Sequence, residues 1–425
     1  MSLIDLSKNN SMHMRAFMHG KSRGPFTFLR FAGPALIAAI AYVDPGNYAT
    51  NIEAGSKYGY SLLWVVLVAN LVAMLFQAMS AKVGIVTGKN LAELCRMYFK
   101  PWLVIPMWII SEIAAIATDL AEFIGGALGF SLLFHLPLLI GMAITAVLTY
   151  AVLVLDKYGY RAIEIVVSLF VAGISICYLL ELFISPVDWL SVGLHCVTPS
   201  IANQDALLIS VGIVGATVMP HAIYVHSGLM PDRIDNPTDH EKSKLIKYSN
   251  LEVIIALSIA GMVNMAMVIM AAGAFHSTGH IVTEIEDAYK TLWPLLGGAA
   301  AVLYLTSLLM SGISSSVVGT MAGQMIMQGF VGFNIPIWLR RAITITPSFI
   351  VVALGYNTTQ LLVISQVVLS LALPIPVIAL YYFTRSEKVM GRFANSSLVN
   401  ILSVISAVII LVLNVVLIYQ TLTGN

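Results

Sequence analysis

Charge is what this sequence has least of. Charged residues make up 10% of its 425 positions, against roughly a quarter in globular chains. Hydrophobic residues reach 59% and the mean hydropathy is +0.89. A chain so poor in charge cannot cover a water-soluble fold, and its composition is that of a polytopic membrane protein in contact with a lipid bilayer. Cysteine is scarce too. Cys95, Cys177 and Cys196 form no CxxC pair. The first and last are expected in loops and the second inside a span, so neither a disulfide framework nor a thiolate metal site is indicated. No HExxH motif or nucleotide-binding glycine loop occurs, which argues against a metalloprotease, an ATP-driven pump and an enzyme in general. The net charge of +1 is uninformative, but no basic stretch is interleaved with aromatics, and no nucleic-acid partner is expected. The polar tail before Phe26 lacks an apolar h-region, so no cleaved signal peptide is expected. No obligate protein partner or resident cofactor is evident.

Long apolar runs, in contrast, fill the chain. Eleven segments are expected to span a bilayer, at roughly 27 to 56, 60 to 86, 101 to 124, 131 to 155, 161 to 184, 204 to 230, 249 to 275, 291 to 325, 335 to 354, 357 to 383 and 397 to 421. Residues 1 to 26 form a polar tail. If that tail is cytoplasmic, the inner side carries Lys8, Arg15, Lys21, Arg23, Arg30, Lys82, Lys89, Arg96, Lys100, Lys157, Arg161, Arg233, Lys242, Lys244, Lys247, Arg340, Arg341, Arg385, Lys388 and Arg392. Only Lys57 and Lys290 fall outside. So lopsided a division follows the positive-inside rule, and one missed or invented span would scramble it. Eleven spans then place the carboxyl terminus outside, in a plasma-membrane protein whose short loops suggest a bacterial source.

The first span contains Ala41-Tyr-Val-Asp44-Pro45-Gly46-Asn47, a carboxylate, a helix breaker and a carboxamide in mid-run. An Asp at that depth costs at least ~2.5 kcal/mol on insertion scales. Proline and glycine beside it loosen the helix and leave carbonyls such as that of Ala41 without intrahelical partners. Freed carbonyls, a carboxylate and an amide oxygen together suit a cation. The plainer alternative is a Pro-kinked helix whose Asp is paired structurally. The sixth span repeats the layout, Ala216-x-x-Met219-Pro220 against Ala41-x-x-Asp44-Pro45, 175 residues later. Five helices separate the two, an odd number, so equivalent five-helix units insert with opposite orientation. The expected architecture is an all-α, LeuT-type inverted repeat. Residues 27–184 and 204–383 form its two units, helices 1 and 6 are broken at mid-membrane, and an eleventh helix at 397–421 is an appendage.

Asp44-Pro45-Gly46-Asn47 together with Met219-Pro220-His221 resembles the paired signature of the Nramp divalent-metal transporters, and the resemblance extends across all eleven spans. Also similar are Glu112, Asp119 and Glu122 in the third span, Arg340-Arg341 in the ninth, Gln366 in the tenth, and the stretch from Ser311-Gly312 through Gly319-Thr-Met-Ala-Gly323-Gln324 to Gly329-Phe330. Ile313 stands where many members carry Gln. The resemblance implies an ion held by the Asp44 carboxylate, the Asn47 amide oxygen, the Met219 sulfur and the Ala41 and Ala216 carbonyls, with Gln366 approaching in some states. Donor chemistry agrees, because a thioether favours softer transition ions over Ca2+ and Mg2+. A buried Met is more often packing, but this one precedes a helix-breaking proline in the partner of the Asp helix.

Glu112, Asp119 and Glu122 are spaced by seven and three, so all three project from one side of the third helix. Acids aligned on a span pair, face water or relay protons, and Arg340 and Arg341 are the obvious counter-ions. A static salt-bridge network is the alternative. His221 and His226 could titrate near neutral pH, or be ordinary hydrogen-bonded core histidines. Gly319 and Gly323 fit the small-xxx-small pattern of close helix packing. His276, His280, Glu284, Glu286 and Asp287 make a mildly acidic outer loop, and the stretch from Pro231 to Asn250 reads as a cytoplasmic loop between the repeats.

The expected function is proton-coupled import of Mn2+ and Fe2+, with metal ion as substrate and H+ as coupling ion. Within transport, a Mg2+-type relative with relaxed selectivity is an alternative, while a sodium-coupled amino-acid symporter is disfavoured because Asp44 repels a carboxylate. A membrane sensor on the same fold would be expected to carry a soluble output domain, and the tails are short.

Overall fold

Apolar helices that cannot expose their backbone to lipid stack side by side, and no strand occurs among the described residues. The computed structural model describes residues 33–155, 160–234, 236–333 and 335–423. The tail 1–26, the start of the first span from 27 to 32, and Lys8, Arg15, Lys21, Arg23, Arg30 and Lys157 lie outside them. In chain order the helices are α1 (Pro34–Ile40), α2 (Pro45–Tyr58), α3 (Leu63–Thr87), α4 (Leu91–Tyr98), α5 (Pro101–Phe134), α6 (Leu138–Val154) and α7 (Tyr160–Ile184). After α8 (Trp189–Val197) come α9 (Gln204–Thr217), α10 (Pro220–Leu229), α11 (Asp239–Ala274), α12 (Ile285–Leu296) and α13 (Gly298–Val331). The chain closes with α14 (Ile337–Ala353), α15 (Thr358–Ala372), α16 (Pro374–Arg385), α17 (Glu387–Met390) and α18 (Ser397–Thr423).

Among the described residues, eight helical stretches are long and apolar enough to cross a membrane, where eleven were expected. Two more, Pro34–Val43 and Leu138–Val154, are apolar but shorter. The first ends where its helix stops at Asp44, and the residues before Gly33 lie outside those described.

Several boundaries differ from the sequence expectation, each for a local reason. Cys95 and Cys196 lie in α4 and α8 rather than in loops; α4 starts at a capping box formed by Asn90 and Glu93. The supposed loop from Pro231 to Asn250 is mostly helix, because Thr238 and Glu241 form a second capping box that starts α11 at Asp239. The eighth segment divides at Gly297, whose φ of 89° ends α12 before α13 begins. The tenth divides at Leu373, ahead of Pro374 and Pro376.

α5 and α13 pack more extensively than any other pair. Their backbones meet where Gly312 faces Gly126, with no room there for a Cβ. α1, α2 and α10 each pack against this pair.

Candidate metal-binding site

The helix that begins at Pro34 tightens to a 3-10 turn over Ala41–Val43, extends at Asp44 (φ −80°, ψ 169°) and restarts at Pro45. Proline suits that restart, since the first helical position needs no amide donor. Asp44 caps α2: its Oδ1 accepts from the Asn47 backbone N–H at 3.0 Å and from Asn47 Nδ2 at 2.6 Å. Asp44 Oδ2 is buried without a hydrogen-bond partner. The other half is built alike. α9 ends at Thr217, Met219 is extended, and α10 restarts at Pro220 with no side-chain cap, so the Met219 sulfur is not used to hold the helix end.

Two residues to which sequence reading gave no role hold the first interruption in shape. Asn264 of α11 donates to the Tyr42 carbonyl at 2.7 Å, and Ser311 of α13 donates to the Val43 carbonyl. Each satisfies an acceptor that the break would otherwise leave unpaired in a buried place. An Asn inside an apolar span was the available signal for the first. Ser311 opens the stretch that resembles the family, but nothing in the residues around it pointed to this role.

The two interruptions touch. Asn47 Nδ2 donates to the Ala216 carbonyl at 2.9 Å, and Thr217 Oγ1 donates to Asn47 Oδ1 at 3.4 Å. The resemblance gave Asn47 the role of an oxygen donor. Here its nitrogen faces Asp44 and Ala216, since only the N–H2 end can bridge two acceptors. Gln366 of α15 completes the group, and a Cβ placed on Gly46 would collide with its amide. Asp44, Asn47, Ala41, Ala216, Met219 and Gln366 are all buried. The carbonyl-bearing C-terminal ends of α1 and α9, with a carboxylate and an uncommitted thioether beside them, form an environment suited to a cation.

The acid row lies alongside. Arg340 is bonded to Glu112, which also accepts from Trp108 Nε1 at 3.1 Å. Arg341 stands 3.9 Å from Asp119 Oδ1, donates to Ser316 O and to the Ser316 and Thr320 hydroxyls, and lies 4.7 Å over the Phe123 ring. Glu122, fully buried, has no hydrogen-bond partner for either oxygen. Gly319 and Gly323 do more than admit a neighbouring helix: a Cβ on Gly319 would meet the Glu122 carboxylate, and one on Gly323 the Arg340 guanidinium. His221 Nδ1 is 3.3 Å from Thr118 Oγ1, next to Asp119 in sequence, and its Nε2 is unpartnered. His226 is set apart, linked through Gln77 (2.7 Å) to the Tyr42 hydroxyl (2.7 Å). His276, after α11, is tied to the Ser56 carbonyl, and no group of three metal-ligating side chains occurs there among the described residues.

A family profile described as natural resistance-associated macrophage protein-like, Nramp, matches residues 35–420. The chain belongs to the Nramp family. A relative from Granulibacter bethesdensis, named divalent metal cation transporter MntH, is 59% identical over 416 residues, which is 98% of this chain and 94% of the relative. One of the same name from Deinococcus radiodurans is 47% identical over 403 residues, 95% of this chain and 92% of its own length. A solved structure of the Eremococcus coleocola manganese transporter superposes with a TM-score of 0.85 at 33% identity, covering 92% of this chain and 87% of that one. MHP1, a nucleobase-cation-symport-1 family transporter, superposes with a TM-score of 0.60 at 13% identity over 92% of this chain and 93% of its own, a likeness of fold alone. These Nramp relatives are named as transporters, which agrees with the expectation that the chain is not an enzyme.

Proposed function

We propose that this chain is a proton-coupled importer of Mn2+ and Fe2+ in the cell membrane, working by alternating access around Asp44, Asn47 and Met219. Eleven helices cross the bilayer in this reading. Residues 27–184 and 204–383 are its inverted repeats, 397–421 the added helix, with the amino terminus inside and the carboxyl terminus outside. The observation that carries the reading is the convergence of Asp44, Asn47 and the Ala216 carbonyl at the ends of two interrupted helices, with Asp44 Oδ2 uncommitted. The relatives named as divalent metal cation and manganese transporters support the substrate class.

Ion binding requires the Asn47 amide to turn so that oxygen replaces nitrogen toward Asp44 and Ala216, releasing the Ala216 carbonyl as a donor. Met219 supplies the soft ligand. The route for protons is the row Glu122, Asp119 and Glu112, with His221 beside its middle, at Thr118, and Arg341 and Arg340 as exchanging counter-ions. His226 holds Tyr42 through Gln77 and affects the route indirectly.

Uptake by proteoliposomes tests this directly. Two charges moving inward across 100 mV gain about 2 × 2.3 kcal/mol. Mn2+ flux should therefore rise with an inside-negative potential and with external acidity, and the lumen should acidify as metal enters. Equal flux at zero and negative potential, or no proton entry, contradicts the proposal.

A further inference from the structure

One fully buried acid lies outside the row described above. Glu181 stands near the end of α7, and neither of its carboxyl oxygens has a hydrogen-bond partner. Three tyrosines from three helices surround it: Tyr178 one turn back on α7, Tyr48 on α2 and Tyr304 on α13. The Tyr48 ring is 5.6 Å from that of Tyr178 and 6.1 Å from that of Tyr304. All three hydroxyls are buried; that of Tyr48 approaches Ser307 and Tyr178, and the Glu181 carboxyl is close enough to act on each phenol and on the Cys177 thiol. Ser307 lies nearby on α13 but spends its hydroxyl hydrogen on the Tyr304 carbonyl at 2.8 Å. Among the described residues, no charged group acts on Glu181. Five polar atoms thus share one enclosed chamber.

An ionised carboxylate enclosed without a cation costs several kcal/mol, whereas a carboxylic acid can donate to one phenol and accept from another. The chamber therefore suits a neutral acid. Its lid is α2. Tyr48 follows Asn47 directly, and its N–H is bonded to the Asp44 carbonyl at 3.3 Å, so the residue that closes the chamber sits in the turn that carries the metal ligands. The far end of α2 bears Lys57, paired with Glu53 (2.8 Å) and Asp205 (3.3 Å), on the side that the proposed orientation makes external.

We propose that Glu181, enclosed by Tyr48, Tyr178 and Tyr304, is a second proton-binding site, loaded from the outside and separate from the row on α5. Seating α2 against α7 and α13 encloses the carboxyl and requires its proton. Lifting α2 exposes it to water, where a glutamate ionises with a pKa of ~4.3. The sign follows: external acid favours the seated arrangement, and rising external pH favours the lifted one. This rests on the transport reading for its orientation, but the proton itself can be observed without transport.

Cys177, one turn from Glu181, reports on the chamber once the other two thiols are replaced (Cys95→Ala, Cys196→Ala). In vesicles without metal, its modification by a membrane-impermeant thiol reagent is compared with that in Glu181→Gln, which cannot ionise. The ratio of the two rates removes the titration common to both thiols, and an ionised Glu181 beside the thiol would by itself lower the parent's rate, so a rise of about tenfold as external pH goes from about 5.5 to about 7.5 reports opening of the chamber. Infrared spectra of the same proteins at neutral pH should show a protonated-carboxyl stretch that Glu181→Gln lacks. Glu181→Met, neutral and of similar length, should behave as Glu181→Gln does and guards against a folding defect of either. A pH-independent ratio, or a carboxyl stretch unchanged by both substitutions, overturns the proposal. Mn2+ uptake by the parent protein is measured alongside. If uptake fails while the infrared band and the rate ratio behave as stated, the transport reading falls and the proton site stands.

Discussion

Asn47 Nδ2 lies 2.9 Å from the carbonyl oxygen of Ala216, joining two helix ends that are 169 residues apart in sequence. The same nitrogen holds Asp44 Oδ1 at 2.6 Å. One amide thus bridges one oxygen of each interruption, and any ion that takes its place must offer at least as much to the same two oxygens. Substituting Asn47 by Asp tests this. Two carboxylates at such a separation cannot both remain charged, so one keeps a proton that a metal must displace. Mn2+ binding by Asn47→Asp should therefore weaken most at acidic pH and recover as pH rises, relative to the parent. Titration calorimetry at two pH values checks it, and a pH-independent loss would mean that the amide acts only as a spacer.

Gly46 gives a test of whether Gln366 belongs to the site. A methyl group at position 46 must displace the Gln366 amide. Gly46→Ala should reduce Mn2+ uptake at least tenfold, about 1.4 kcal/mol in the transport step. In a Gln366→Ala background the same change should cost far less, because neighbours that share a contact are not additive. Additive losses in the double variant would place Gln366 outside the site.

Asp119→Asn separates the metal from the proton. Asp119 stands beside Arg341 and is not among the groups gathered at Asn47. The variant should bind Mn2+ within a few-fold of the parent but reduce proton entry or uncouple it from metal, whereas Asp44→Asn should abolish metal transport. Parent-like transport of both metal and protons by Asp119→Asn would make the acid row structural.

Met219 is the proposed filter against hard ions. Replacing it with Ala removes a polarizable donor and leaves room for water, which Mg2+ and Ca2+ tolerate better than sulfur. Met219→Ala should keep appreciable Mn2+ uptake, lose more for Cd2+, and become inhibitable by millimolar Ca2+. Equal loss for Mn2+ and Cd2+ with no effect of Ca2+ would reduce Met219 to packing.

The parts of this site visible in the sequence were those in which a residue is costly where it stands. An Asp before Pro in an apolar run, three acids on one helical face and paired arginines each demand a partner, and the demand can be read without coordinates. What could not be read were the partners themselves. Asn264 and Ser311 cap the freed carbonyls of Tyr42 and Val43 across 222 and 268 residues, separations that no local pattern encodes. Helix ends at Asn90 and Thr238 were missed for a different reason. Capping boxes override the polar composition that had suggested loops. The glycines of α13 fit the packing pattern, but their facing groups, a carboxylate and a guanidinium, are set by tertiary structure alone.

Those two glycines have a mechanical consequence. Gly319 and Gly323 are notches, each filled by one polar head, the carboxyl of Glu122 from α5 and the guanidinium of Arg340 from α14. A keyed joint of this kind resists sliding: a shift of α13 by one turn, about 5.4 Å, would carry the notches away and push bulkier side chains into both heads. On the transport reading proposed above, α5, α13 and α14 would then act as a stator, and the working stroke would fall to the elements not keyed to it, the half-helices that end at Val43 and Thr217 and begin again at Pro45 and Pro220.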